Sequence, residues 1–358
     1  MAEFMELHEN IINWYENNKR DLPWRHTKEP YKIWVSEIIL QQTRVNQGLV
    51  YYNNFIECFP DIFTLANANI DKIMKLWQGL GYYTRARNMH ETAKFVVENL
   101  NGNFPDNFND LIKLKGIGRY TAAAIASIAF NEKIPLIDGN VYRFISRLKG
   151  VFTPIGSSKS YSEFFEILKF FFIDNNPGRF NQALMEIGAT VCMPSKPLCD
   201  ICPGLNYCFA FKNEKINLLP VRPIKQPSKN RYLNYFVFYD HKNIFINKRK
   251  DNDIWKSLYE FPQVESETDL DINQILQIAS AQLKLSINKT NIENTSKLYL
   301  HKLTHQNIFA RFFRIKLDKS NKNYLSRNFI KSDWKVLNEY AIPRLIDKYL
   351  KEEFGVNK

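Results

Sequence analysis

Two carboxylates, a pair of glycines and four cysteines are the residues of this chain whose types and spacing could do chemistry. Glu37 lies in Ile33-Trp34-Val35-Ser36-Glu37-Ile38-Ile39-Leu40-Gln41-Gln42-Thr43. A helix there places it on one face with Ile33, Trp34, Leu40 and Gln41. A carboxyl among apolar neighbours resists ionisation, the property of a general acid working near neutral pH. A helix-edge position, or pairing with Lys32 or Arg44, would leave it an ordinary surface acid. Asp138 is the single carboxylate of Leu136-Ile137-Asp138-Gly139-Asn140-Val141, between a short apolar run and another helical pattern. Between the two acids, Leu114-Lys115-Gly116-Ile117-Gly118-Arg119-Tyr120-Thr121-Ala122 ends one apolar helical segment and opens the next. Gly116 and Gly118 let the backbone turn tightly and approach a ligand, and amides at the following helix start suit a phosphate.

Cys192, Cys199, Cys202 and Cys208 follow the spacing C-x6-C-x2-C-x5-C. Four thiols in one loop, in a chain whose first residues are acidic rather than a basic signal region, point to a metal site and not to disulfides. Zinc and an iron–sulfur cluster both accept four thiolates, so the spacing leaves the metal open. Cys58 stands apart and is expected to be a buried free thiol.

These residues must be held by two different kinds of structure. At 358 residues the chain exceeds one ordinary domain. Residues 3–20 have an amphipathic helical pattern, followed by the proline-punctuated loop Asp21-Leu22-Pro23-Trp24-Arg25. Apolar positions keep helical spacing from Tyr31 to Phe59. Residues 62–135 divide into short helices with tight loops, among them Gly79-Leu80-Gly81-Tyr82-Tyr83 with Arg85 and Arg87 beyond. Val141 to Val191 is again helical, with Arg143, Arg147 and Lys149 adding charge. This half is all-α. After the basic, proline-rich Leu219–Ser228 the period changes. Strands are expected over Tyr232–Tyr239, Asn243–Lys248, Lys297–Lys302 and Ile308–Leu317, with a helix over Ile272–Leu285, making an α+β second domain. No apolar run reaches membrane-spanning length, which predicts a soluble cytoplasmic protein. The net charge is +12, and its basic excess begins at the hairpin and grows toward the C-terminus. That pattern suits a polyanionic partner, although a lysine-rich solvated surface has the same signature.

In this order, Ser36–Thr43, the Gly79–Tyr83 loop, the hairpin, Ile137–Val141 and the cysteine loop resemble the MutY-type adenine-DNA glycosylases of the helix-hairpin-helix, endonuclease III superfamily. The resemblance implies an all-α glycosylase region over 1–218 with its cysteine loop at 192–208, a linker at 219–230, and a Nudix-like 8-oxoguanine recognition domain over 231–358. It implies a monomeric base excision repair enzyme, nucleoid-associated and without membrane attachment, that removes adenine mispaired with 8-oxoguanine or guanine in duplex DNA. Glu37 would be the general acid and Asp138 the stabiliser of the sugar cation, with Tyr120 and Asn140 orienting them. Tyr120 stands where strand-cutting relatives carry a Schiff-base lysine, so base removal without a lyase step is implied, and endonuclease III is the alternative. Trp24, Arg25, Leu40 and Glu186 would line the adenine pocket. Gln42 and Tyr82 would enter the duplex, and Thr43 would lie near the opposing base. Gly116, Gly118 and Arg119 would hold the DNA backbone. The four cysteines would hold a [4Fe-4S] cluster, with Lys196 in their loop near DNA. Leu258-Tyr259-Glu260-Phe261-Pro262 resembles the Nudix turn, but no glutamate-rich helix follows to hold magnesium. Where the family reads 8-oxoguanine with Phe-Ser-His, this chain has Leu303, Thr304 and His305: a hydroxyl is kept and an aromatic ring is lost.

Overall fold

The computed structural model describes the chain apart from residues 1, 173–175, 224–226, 241, 251–252, 286, 288, 318 and 356–358. Ile224, Lys225 and Gln226 of the expected linker therefore lie outside the described residues. The chain divides into two compact units, Met1–Asn67 with Asn88–Ile224, and Ala68–Arg87 with Lys225–Lys358. Residues 68–87, which the sequence pattern groups with the helical half, thus pack within the second unit. Among the described residues no helix is long and apolar enough to cross a membrane.

The first unit contains no strand among its described residues. Six of its helices build the candidate site: α1 (Ala2–Asn18), α2 (Pro30–Leu40), α3 (Val45–Cys58), α4 (Arg119–Ala129), α5 (Gly139–Lys149) and α6 (Pro177–Thr190). The helical run expected from Tyr31 to Phe59 is two helices. Gln42 adopts a left-handed backbone, with φ 60°, and the Leu40 carbonyl is taken by the Thr43 amide at 3.1 Å. Apolar spacing continues across this break because α3 also turns a buried face inward, so periodicity alone could not locate it.

Leu7, Ile11 and Tyr15 of α1, Val141, Phe144 and Leu148 of α5, and Phe180, Leu184 and Ile187 of α6 share one core. Helix α6 approaches its neighbours at backbone distance. A Cβ on Gly178 would sit 2.7 Å from the Ser127 carbonyl of α4, and one on Gly188 2.7 Å from the Asn140 carbonyl of α5. Between these contacts Asn181, fully buried, accepts from the Leu136 amide at 2.9 Å. It donates to the Ile134 carbonyl and to Ser127 Oγ, each at 2.9 Å. One side chain thereby fixes the irregular segment that delivers Asp138 to the head of α5.

The second unit is α+β, as expected. Its strands are β1 (Lys229–Tyr239), β2 (Asn243–Lys248), β3 (Tyr259–Glu260), β4 (Gln263–Ser266), β5 (Ile292–Thr295), β6 (Tyr299–Lys302), β7 (Gln306–Lys316) and β8 (Ile330–Asp333). β1 runs parallel to β7 from Lys229↔Gln306 to Tyr239↔Lys316 and antiparallel to β2 and β4. β5 and β6 pair with β7, and β3 and β8 with β2. Leu233 to Phe238 is buried on both faces, which explains why every residue of that run but Asn234 is apolar or aromatic. Phe236, Phe313 and Ile315 face α7 (Ile272–Leu283) and α8 (Lys319–Asn328) in one core. On the other face Phe312 stacks on Tyr349 of α9 (Arg344–Phe354), with ring centroids 3.9 Å apart. Residues 68–87 are tied in by polar contacts: Lys248 Nζ and the Tyr259 hydroxyl to Asp71, at 2.5 and 3.1 Å, Lys75 Nζ to the Tyr340 carbonyl at 3.2 Å, and Arg87 to the Lys256 carbonyl at 2.6 Å.

Replacing Asn181 by alanine strands a buried amide and a buried carbonyl at once. Asn181→Ala is expected to destabilise the first unit by roughly 2–6 kcal/mol, at about 1–3 kcal/mol for each orphaned group. Chemical denaturation checks this; a shift below about 0.5 kcal/mol would show that the segment before Asp138 does not depend on this side chain.

Candidate active site

Helix α2 carries Glu37 inward, 5% exposed, between Ile33, Trp34 and Ile38. Neither Lys32 nor Arg44 takes its charge; Lys32 Nζ lies 2.8 Å from Glu29 Oε1. The Tyr120 hydroxyl, presented from the first turn of α4, donates to Glu37 Oε2 and also lies 3.6 Å from Met185 Sδ. Burial pushes the Glu37 carboxyl up to about 7. The Tyr120 hydrogen bond opposes the shift, the Asp138 charge adds to it, and Arg25 opposes it. Gln41, on the same face, donates to Thr121 Oγ1 at 3.3 Å and links α2 to the start of α4.

Asp138 is solvated by the protein in a different way. It is the N-cap of α5, its Oδ1 accepting from the amides of Asn140 and Val141 at 2.9 and 2.7 Å. Asn140 Nδ2 donates to Oδ2 at 2.7 Å. Arg143 Nη2 donates to Asn140 Oδ1 at 2.8 Å, which fixes the amide with its NH2 toward Asp138. Burial raises the Asp138 carboxyl, and the Val141 amide, the Asn140 side chain and amide, and the Arg143 charge pull it back. Half-buried Asp138 has three donors that favour its charged form, whereas buried Glu37 has a single phenol.

Glu186 and Arg25 also meet. Glu186 accepts from Arg25 Nη2 at 2.6 Å, and from the backbone amide, Nε and Nη2 of Arg20 at 3.0, 2.7 and 2.8 Å. Burial opposes the shift, yet these bonds hold the Glu186 carboxyl down at about 2. Arg20 is a site residue that the pattern reading passes over; its only local signal is an arginine before a Pro-Trp-Arg turn. Trp24 is 6% exposed and packs edge-on against Tyr52. Leu40 is half-buried at the end of α2. Gln42 is exposed and Thr43 half-buried in the break that follows.

At the hairpin Gly116 has φ +77°, and a Cβ there would sit 2.6 Å from Asn88 Cβ, so both the turn and the close approach require glycine. Gly118 faces open space and begins α4 without a side-chain cap. Arg119 lies over the Tyr161 ring at 4.8 Å.

Cys192, Cys199, Cys202 and Cys208 line one small cavity with Phe144, Val191 and Arg147. All five cysteines of the chain are free, and Cys58, expected to be buried, is half-buried. Among the described residues no three His, Cys, Asp or Glu side chains are arranged as the ligands of a single metal ion. The four thiols frame a space instead. Arg147, read from sequence only as added charge, is 3% exposed. Its guanidinium donates to Cys192 Sγ at 3.4 Å, to the Met193 and Pro194 carbonyls at 2.8 and 3.0 Å and to the Leu219 carbonyl at 3.0 Å, so it holds the loop in place. Lys196 is exposed.

In the second unit, Leu303, Thr304 and His305 form the turn between β6 and β7, closed by the Leu303 amide on the Gln306 carbonyl at 2.8 Å. They border a cleft of about 320 Å³ with the Gly79–Thr84 loop, Trp255, His301 and Arg344. The Tyr82 and Thr304 hydroxyls are hydrogen-bonded at 2.8 Å.

The HhH-GPD superfamily base excision DNA repair protein family matches residues 35–169, and the NUDIX domain family matches residues 234–352. Adenine DNA glycosylase of Buchnera aphidicola subsp. Acyrthosiphon pisum is 33% identical over 97% of this chain and 97% of its own length. The protein of that name from Buchnera aphidicola subsp. Baizongia pistaciae is 37% identical over 93% and 91%. The human one is 40% identical over 59% of this chain and 40% of its own. A thermostable thymine-DNA glycosylase superposes with TM-score 0.53 at 27% identity, covering 59% of this chain and 97% of that one. An endonuclease III in complex with DNA superposes with TM-score 0.51 at 19% identity, covering 60% and 97%, and shares the fold. The helical unit therefore has the architecture of the HhH-GPD DNA glycosylases, followed in the same chain by a Nudix-type unit. The chain belongs to the adenine DNA glycosylase family, and it is a DNA glycosylase of base excision repair.

The Glu37 carboxyl ionises at about 7 in the folded chain and near 4.5 when unfolded. A raised carboxyl is a cost to folding that is absent below pH 4.5, grows through the interval and is complete above pH 7. Glu37→Gln is accordingly expected to stabilise the protein by about 3 kcal/mol at pH 8 and by much less at pH 5. Denaturation at the two pH values checks this; an equal effect at both would contradict the burial of a charge.

Proposed function

We propose that the chain hydrolyses the N-glycosidic bond of adenine opposite 8-oxoguanine or guanine in duplex DNA, without a lyase step. The observation that carries this is the unequal pair: a buried Glu37 carboxyl pushed to about 7 beside an Asp138 carboxylate with three donors. Adenine, flipped from the stack, takes the Glu37 proton at N7. The base then leaves with the bond electrons, and the ionised Asp138 stabilises the sugar cation. The regenerated Glu37 carboxylate accepts a proton from the water that adds to the sugar. Tyr120 holds Glu37, and Asn140, itself held by Arg143, holds Asp138. With tyrosine at 120, this position offers no amine to form a Schiff base.

Trp24, Arg25, Leu40 and Glu186 are assigned to the adenine pocket, the Arg20–Glu186–Arg25 bridge keeping its wall rigid. Gln42 and Tyr82 are assigned to the duplex and Thr43 to the neighbourhood of the opposing base. The open space before Gly118, the Gly116 turn and Arg119 suit a DNA phosphate. Leu303, Thr304 and His305 are assigned to 8-oxoguanine. Helix α7, the first after the Nudix-like turn, carries no acidic residue and so supplies no carboxylates there for metal-dependent hydrolysis, and the unit is assigned to binding. We assign a [4Fe-4S] cluster to the four cysteines. Four cysteines lining one cavity offer the all-thiolate donor set that such a cluster takes. Bound, the cluster supplies structure and DNA affinity and no hydrolytic step.

The deciding experiment uses end-labelled duplex with one adenine opposite 8-oxoguanine. Strand breakage is expected only after hot alkali; breakage without alkali would place the chain with lyase relatives such as endonuclease III. Asp138→Asn keeps a side chain that can cap α5, so it should fold and bind the duplex while losing about 10²–10⁴-fold in adenine release. Normal turnover would overturn the role of Asp138. For the cluster, anaerobically purified protein is expected to be brown with four irons per chain, the content of the assigned [4Fe-4S] group; a colourless protein with one zinc would overturn that assignment.

A further inference from the structure

The hairpin that carries Gly116 and Gly118 is braced by one face of the helix Thr84–Leu100. Asn88, Glu91 and Thr92, spaced i, i+3 and i+4, share that face. Asn88 packs so close to Gly116 that a Cβ on the glycine would sit 2.6 Å from Asn88 Cβ. Exposed Glu91 pairs with Lys115 Nζ, a contact that water screens. Thr92, 1% exposed, donates its hydroxyl to the Lys115 carbonyl at 2.6 Å. Of the three contacts this last one is both buried and directional.

The Lys115 carbonyl and the Gly116 amide belong to one peptide plane. Among the described residues the cis peptide is Leu219–Pro220, so this plane is trans, and its C=O and N–H point in opposite directions. A carbonyl drawn in against Thr92 therefore turns the Gly116 N–H away from the helix. The next amide, of Ile117, is taken by the Leu114 carbonyl at 3.1 Å, and Gly118 beyond it faces open space. We propose that Thr92 is a positioning residue for DNA binding: by fixing this peptide plane it aims the Gly116 amide at a backbone phosphate. The inference rests on the reading of the hairpin as a phosphate site.

The test is the affinity of the full-length protein for duplex carrying a non-hydrolysable adenosine analogue opposite 8-oxoguanine, with the single-turnover rate of adenine release at saturating protein measured alongside. Gly118→Val tests the hairpin itself. Its φ of −88° is open to any residue and a Cβ meets nothing within 4 Å, so the variant should fold and obstruct a phosphate. Unchanged affinity there would overturn the phosphate reading. Given that reading, Thr92→Val should weaken binding about 10-fold, the worth of one hydrogen bond to a charged group. The saturated rate should stay within about twofold of wild type, since only uniform binding is lost. Thr92→Ser, which keeps the donor, should recover most of the affinity. The dependence on salt should not change, because an amide releases no counterion. A shallower salt slope would assign the loss to a cation such as Lys115 and overturn the role of the amide. Melting temperatures identify the folded variants, and Thr92→Ala replaces the valine variant if that one does not fold. A folded Thr92→Val or Thr92→Ala protein with wild-type affinity, or a serine variant as impaired as either, would overturn the positioning role.

Discussion

A buried carboxyl group beside a half-buried one cannot cheaply share the charged state with it, and this constraint organises the first unit. The proton is placed by how each acid is solvated. Asp138 sits at the head of a helix, where two free amides point at it, and Asn140 supplies a third donor. Glu37 lies in mid-helix, where every backbone amide is already spent, and only a phenol reaches it. A cap position and an interior position thus give the same functional group opposite tendencies. The helices need only bring the two positions together.

Much of the remaining architecture maintains that difference. Asn181 satisfies the irregular segment before Asp138, and the glycines of α6 let its backbone close on both α4 and α5. Arg143 is shared between Asn140 and the carbonyls of Gly188 and Cys192, at 2.6 and 2.7 Å for the latter two. The hydrogen bonds orienting Asp138 therefore continue, through one guanidinium, to the first residue of the cysteine loop. A distortion of that loop would reach the carboxylate by way of the Asn140 amide.

What could be read from the sequence was what is local. The burial of Glu37, the turn at Gly116, the carboxylate before α5 and the grouping of four thiols each follow from residues within a few positions of one another. The partners come from far along the chain: Arg20 for Glu186, Asn181 for Leu136 and Arg147 for the Leu219 carbonyl. An arginine carries no local mark that distinguishes a buried clamp from a solvated charge, so Arg147 was indistinguishable from Lys149. In the second unit the long strands β1 and β7 were legible from their aromatic and β-branched runs. β3, β4, β5 and β8 have four residues or fewer, too short for a period. Residues 68–87 keep a helical pattern whichever unit they join; Asp71, Lys75 and Arg87 decide, through bonds to residues more than 160 positions away.

Near Trp255 the carboxylates of the second unit are locked into an ionic frame. Hydrolases that split phosphoanhydrides through bound metal need carboxylates free to ligate it. Here Asp253 and Glu260 are both engaged by Arg249, while Asp253 and Glu265 are both engaged by Arg231. Burial works against it, but the arginine bonds hold Asp253 down at about 2. A cation would have to displace two guanidinium groups from a partly buried site to gain these ligands. The same pairing that engages these carboxylates fixes the backbone on which Trp255 is carried, so the charges here are spent on shape.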